Sequence, residues 1–131
     1  MIFSVKKRII ITVVSIFILI FLAVGYVIFA FIYNNNYKLT DAGTEISPDG
    51  KYSVLFQMVG QPEWPFGATT VKVTVKEVDS NKQLEVIDAS IQDDGGILSE
   101  FNWDVVWKSD TVEITLKGSE QKDKSYIVPL Q

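Results

Sequence analysis

The residues best suited to chemistry in this chain are its carboxylates, because the chain contains neither histidine nor cysteine. A Ser-His-Asp triad, a histidine general base, a thiol nucleophile and the commonest zinc ligands are therefore excluded. Glu45, Glu63 and Glu113 are the candidates for a carboxylate pair of the kind that cleaves glycosides. Such pairs arise by chance among sixteen acidic residues, so we expect no catalytic residue and no enzymatic activity.

Four acidic residues lie close together in the sequence and form a candidate calcium site: Asp93, Asp94, Glu100 and Asp104. Calcium prefers carboxylate oxygens as ligands. However, the run Asp93-Asp94-Gly95-Gly96 lacks the regular alternation of an EF-hand loop. We interpret these residues as solvated turn carboxylates and expect neither a metal nor a cofactor.

The most unusual segment is residues 61–67, which combines Pro62 and Pro65 with Trp64 and Phe66. Aromatic side chains on a rigid loop are suited to binding a peptide or a glycan. Alternatively, Trp64 and Phe66 fold back and close one end of the core. We favour the core interpretation, because a domain without disulfides needs all its apolar contacts.

Two further tryptophans, Trp103 and Trp107, alternate with Val105 along one stretch of sequence. Shared packing in the core is the favoured interpretation. The alternative is that the two tryptophans form a carbohydrate-stacking platform. This alternative requires an open face on the domain. A separate hypothesis is a wall-binding module that uses Trp64 and Phe66 together with Trp107.

The elements that position these residues begin with an apolar segment, residues 9–33, which contains no charged residue. As a helix it measures about 37 Å, enough to cross a hydrocarbon core of about 30 Å. Lys6, Lys7 and Arg8 precede it. Lysines and arginines that flank a transmembrane helix favour its cytoplasmic side. We therefore predict a basic cytoplasmic tip (1–8), one transmembrane helix (9–33) in the plasma membrane, and a C-terminal domain outside.

A cleaved signal peptide is the alternative to this anchor. The basic start of the chain fits a signal peptide, but the apolar segment is longer than usual, and the best cleavage candidate, Ala23-Val24-Gly25, lies inside it. We therefore favour an uncleaved anchor that contacts the lipid bilayer.

Beyond the apolar segment we predict a polar linker (34–43) and an all-β domain (44–131). Turn motifs such as Ser47-Pro48-Asp49-Gly50 separate stretches in which apolar and polar residues alternate. The apolar residues of 83–91 change face midway, which indicates a β-bulge. This pattern is typical of an antiparallel sandwich or a half-open barrel of six to seven strands.

The charge of the chain beyond Tyr33 limits its partners. Nine lysines stand against sixteen acidic residues, a net charge of −7. Such a domain is repelled by nucleic-acid phosphates and by anionic headgroups, so we expect no nucleic-acid partner.

Residues 47–52, Ser-Pro-Asp-Gly-Lys-Tyr, resemble the turn between strands in TolB-type propeller repeats, although the motif occurs once in a domain too short for a propeller. The whole layout resembles small uncharacterised membrane-anchored proteins of Gram-positive bacteria, which have an apolar N-terminus, a similar hairpin and a short β-rich outer domain. This resemblance implies a location and a topology but no activity.

From the sequence we therefore expect a membrane-tethered, extracytoplasmic, non-enzymatic β-domain that binds or supports a protein partner at the cell envelope. A carbohydrate or cell-wall binding module is the first alternative. An accessory or immunity-type membrane protein is the second.

Overall fold

The computed structural model describes residues 2–131, with side chains from Ser4 onward. The chain divides into two compact units, one ending at Asn34 and the other formed by Asn35–Gln131. The first unit is helical, and the second contains all seven strands of the described chain.

The helix of the first unit, α1, runs over Ile2–Asn36. Its apolar segment is long enough and apolar enough to cross a membrane. The hydroxyls of Thr12 and Ser15 donate to the carbonyl oxygens of Arg8 and Ile11, at 2.9 and 2.8 Å. The two polar side chains are thus satisfied within their own helix.

The second unit consists of two antiparallel sheets. A four-stranded sheet has the order β1-β2-β3-β4 and a three-stranded sheet has the order β5-β6-β7. The strands are β1 (Leu39–Ile46), β2 (Tyr52–Val59), β3 (Thr69–Glu77), β4 (Gln83–Ile91), β5 (Trp103–Trp107), β6 (Thr111–Leu116) and β7 (Lys124–Pro129). The prediction of one apolar helix followed by a β domain is confirmed. Within the described chain the domain has seven strands, the larger of the two numbers expected.

Regular elements occupy most of the predicted linker. The helix continues to Asn36 and β1 begins at Leu39, so only Tyr37 and Lys38 of residues 34–43 lie between elements. The strand was missed because its apolar residues do not alternate: β1 is an edge strand, mostly exposed, with an irregular register between Asp41 and Gly43. An extra residue, Ala42, bulges there.

The bulge expected within 83–91 occurs near the start of β4. Val75 pairs with Glu85 and Lys76 pairs with Gln83, so Leu84 is the extra residue. A bulge changes which face the following side chains occupy. It therefore lets Leu84, Ile87, Ala89 and Ile91 all pack on the core, although their spacing does not follow a period of two.

One hydrophobic core contains buried side chains from both sheets. The alternating residues supply it as predicted: Val54, Phe56, Met58, Val71, Val73, Val75, Val112, Ile114 and Leu116 are buried. Between the sheets, the rings of Phe56 and Trp103 stack with centroids 4.1 Å apart and planes 2° apart. The indole N–H of Trp103 donates to Glu45 Oε1 at 3.2 Å, so its one polar group is paired.

The first hairpin turn matches its sequence motif. Gly50 has a φ of +74°, which favours glycine. The Ser47 hydroxyl donates to Asp49 Oδ1 at 2.6 Å, and the Lys51 N–H donates to the same oxygen at 3.0 Å. These two hydrogen bonds lower the pKa of Asp49 below its ordinary value of 3.8.

The core predicts a contrast between two phenylalanines. Phe56 is fully buried, whereas Phe101 is 80% exposed. Replacing Phe56 with Ala should cost about 3–5 kcal/mol of the free energy of unfolding, because it removes the ring that Trp103 stacks on and leaves a cavity. Phe101→Ala should change it by no more than about 0.5 kcal/mol. Urea unfolding of the full chain in detergent micelles measures both, and equal losses would contradict this description of the core.

Candidate functional site

The candidate site is the end of the β domain at which its longest loops meet. We call this surface the loop end and define it as residues 60–68, 92–102 and 117–123. Hydrogen bonds join the three segments: the Thr69 hydroxyl, just after the first, donates to Gly96 O at 2.8 Å, and the Glu120 N–H donates to Gln92 O at 3.0 Å. The loop end is therefore one connected surface.

Asn102 lies at the centre of the loop end. It is buried, and it lies in a 3-10 turn over Glu100–Asn102. Its Oδ1 accepts the Ser99 N–H at 2.9 Å, and its Nδ2 donates to Lys117 O at 3.0 Å and to Asp93 Oδ2 at 3.1 Å. The sequence analysis missed this residue, because a single asparagine has no pattern that distinguishes it.

Asp93 connects the segments from the other side. Its Oδ1 accepts the Ser119 N–H at 2.9 Å, while its Oδ2 accepts from Asn102. The Gly96 N–H donates to its carbonyl oxygen at 2.9 Å. The carboxylate of Asp93 thus joins the 92–102 segment to the 117–123 segment. Its interpretation as a solvated turn carboxylate did not predict this contact.

The pKa of Asp93 lies below its ordinary value of 3.8. The hydrogen bond from the Ser119 N–H is the largest cause, and that from the Asn102 side chain is the second. Both favour the ionised carboxylate over the neutral acid. The negative charge of Asp93 is therefore part of the folded structure of the loop end.

Trp64 and Phe66 are exposed at the loop end, so the favoured core interpretation is wrong. The Trp64 side chain is 93% exposed and that of Phe66 is 67% exposed. The strands supply most of the core, and Leu98 is the buried apolar side chain that the loop end adds to it. Two more apolar side chains of the loop end, Ile97 at 68% and Phe101 at 80%, are also exposed, and the sequence analysis did not select either of them.

The loop that carries Trp64 is held by its own backbone. The Glu63 N–H donates to Ala68 O at 3.1 Å, and the Gly67 N–H donates to Glu63 O at 2.7 Å. A side chain at Gly95 would come within 3.1 Å of the Phe66 Cα. The aromatic loop therefore packs tightly on the neighbouring segment while its two rings point away from the core.

The other two tryptophans do not join this surface. Trp103 is buried, which confirms core packing for that residue. Trp107 is half-buried and packs against the core, where it lines a shallow hollow of about 210 Å³ with Ser47 and Tyr52. Tyr52 begins β2 and the aromatic loop follows its end, so about 26 Å of strand separates Trp107 from the loop of Trp64.

Two of the three carboxylates selected for glycoside cleavage have separate partners. Glu45 accepts from the indole of Trp103, and Glu113 pairs with Lys108 at 3.3 Å. Asp104 pairs with Lys117 at 2.9 Å. Among the residues that the structure describes, no group of three or more acidic side chains is arranged to hold a metal ion.

Comparison of the chain with known protein families, with curated proteins and with solved structures found no match. The interpretation of the loop end therefore depends on its own geometry: a polar frame around Asp93 and Asn102 that holds exposed apolar side chains at one end of the domain.

The polar frame predicts that stability decreases in acid. A carboxylate with a lowered pKa stabilises the fold above pH 3.8, and this stabilisation is lost as the pH falls through its folded-state value. Asp93→Asn should cost about 1–2 kcal/mol at pH 7, and the difference from the native chain should shrink as the pH falls below 3.8. Asp94→Asn is the matched control, because Asp94 is exposed. Urea unfolding of the full chain across this pH range measures the effect, and a constant difference for Asp93→Asn would contradict it.

Proposed function

We propose that this protein is a single-pass membrane protein whose β-sandwich domain lies outside the cytoplasm and binds or supports a protein partner at the cell envelope, without enzymatic activity. The observation that carries the membrane assignment is α1. Its apolar side chains are exposed along the whole of residues 9–33, and such a surface is disfavoured in water and favoured in hydrocarbon. The basic residues before it support a cytoplasmic N-terminus in the plasma membrane.

The sandwich arrangement is supported by the way the two sheets associate. Their buried faces contribute to one core, which is how face-to-face sheets pack. A half-open barrel requires strand pairing between the sheets, and in the described residues each sheet pairs only within itself. Both sheets therefore have edge strands that can accept a partner.

The partner surface that we propose is the outer face of the three-stranded sheet. Val106 pairs with Glu113, and Glu113 pairs with Ile127, so the three side chains form one row. Val106 is 51% and Ile127 is 66% exposed. We call these three residues the outer row. The edge strands β5 and β7 of this sheet also offer backbone groups for strand addition.

The exposure of Trp64 favours a wall-polymer module as the second candidate function. A stacking platform, however, needs several aromatic faces in one plane. Trp103 is buried, and Trp107 lies at the far end of β5 from the loop end. Trp64 alone supports this function less well than the outer row supports a protein partner. An accessory or immunity-type role predicts a protein ligand as well.

Site-specific photo-crosslinking in intact cells tests the partner surface. A photoreactive residue at position 127 should form a discrete crosslinked protein species, because Ile127 is exposed in the outer row. The same residue at position 88 is the control, since Asp88 is exposed but lies in β4 of the other sheet. The substitution Val106→Lys should reduce the amount of the crosslinked species formed from position 127 several-fold. Equal crosslinking at both positions, or none at 127, would contradict the proposal.

A further inference from the structure

The exposed aromatic side chains of the loops lie at one end of the β domain. Trp64, Phe66 and Phe101 are all at the loop end. The opposite end consists of the short turns 47–51, 78–82 and 108–110, and within the described residues its exposed large apolar side chains are aliphatic, Ile46 and Val78. The two ends therefore differ in surface chemistry.

The loop end is also the end at which the chain enters the domain. Asn35, the first residue of the second unit, accepts the Gln61 N–H through its carbonyl oxygen at 2.8 Å. Lys38 O accepts the Gly60 N–H at 2.8 Å. Gly60 has a φ of +66°, and a side chain there would collide with the backbone of Asn35. Asn35 is therefore held beside the aromatic loop, and it follows the charge-free segment by only two residues.

We propose that the loop end rests in the headgroup region of a zwitterionic phospholipid bilayer, with the Trp64 indole at the interface and Phe66, Ile97 and Phe101 directed toward the acyl chains. The inference rests on the membrane anchoring proposed above, because the connection through Asn35 then keeps this end of the domain at the membrane surface. Tryptophan favours the boundary between water and hydrocarbon, where its ring is buried and its N–H stays hydrated.

The charges of the loop end decide the kind of lipid. Asp94 and Glu100, both exposed, flank the apolar side chains of the 92–102 segment. Carboxylates at this position are repelled by anionic headgroups. The contact therefore depends on apolar and aromatic side chains, and it should weaken when anionic lipid replaces phosphatidylcholine.

Tryptophan quenching by brominated lipid tests this contact. The full-length chain is reconstituted in phosphatidylcholine vesicles, with or without bromine on the acyl chains, and alkaline extraction confirms that it stays in the membrane. The chain has three tryptophans, and only Trp64 is exposed. Brominated lipid should quench the native emission, and Trp64→Phe should remove most of this quenching. A tryptophan introduced by Val78→Trp in the Trp64→Phe chain is the control at the opposite end and should not restore it.

Four results would overturn the inference. Quenching that persists in Trp64→Phe, or that is restored by Val78→Trp, shows that the loop end is not the part in contact with lipid. In the third result, the protein resists alkaline extraction, brominated lipid does not quench its emission, and acrylamide quenches Trp64. This result shows that the loop end faces water and is free for a protein ligand, and it leaves the membrane anchor intact. Release of the chain at alkaline pH overturns the anchor and the inference together.

Discussion

The β domain depends on the contact between the Phe56 ring and the Trp103 indole, because the chain has no cysteine to join its two sheets covalently. The stack also determines what surrounds it. A side chain at Gly43 would come within 2.7 Å of the Trp103 ring, so β1 can pass the indole only with glycine at this position. Glu45, two residues along β1, accepts the indole N–H. One aromatic pair thus fixes the edge strand of the first sheet against the first strand of the second.

Because the strands supply most of the core and Leu98 adds to it, the other large apolar side chains of the loops remain exposed. The loop end is organised by polar contacts: Asp93 and Asn102 join the 92–102 segment to the 117–123 segment through side-chain hydrogen bonds. A frame of this kind keeps backbone groups paired without burying the aromatic residues of the loops. The exposed rings of Trp64 and Phe101 are therefore compatible with a stable domain.

The strands were predictable where side chains alternate between one face and the other, as in Val71, Val73 and Val75. The edge strand β1 was not, since Leu39, Ala42 and Ile46 follow no period of two and the bulge at Ala42 interrupts the register. The exposure of Trp64 and Phe66 was predicted wrongly, because a sequence does not show how much core volume the strands already fill. Asn102 could not be selected, because its importance comes from Asp93 and Lys117, which are distant in sequence.

The topology is the central claim, and cysteine labelling tests it most directly because the native chain contains no cysteine. Ser4→Cys and Ser109→Cys each introduce one exposed thiol, the first before the apolar segment and the second in a turn of the β domain. A membrane-impermeant maleimide should label the Ser109→Cys variant in intact cells and the Ser4→Cys variant only after permeabilisation, with both proteins full-length in the membrane fraction. The reverse pattern, or a shortened Ser109→Cys protein in the medium, would contradict an anchored domain outside the cell.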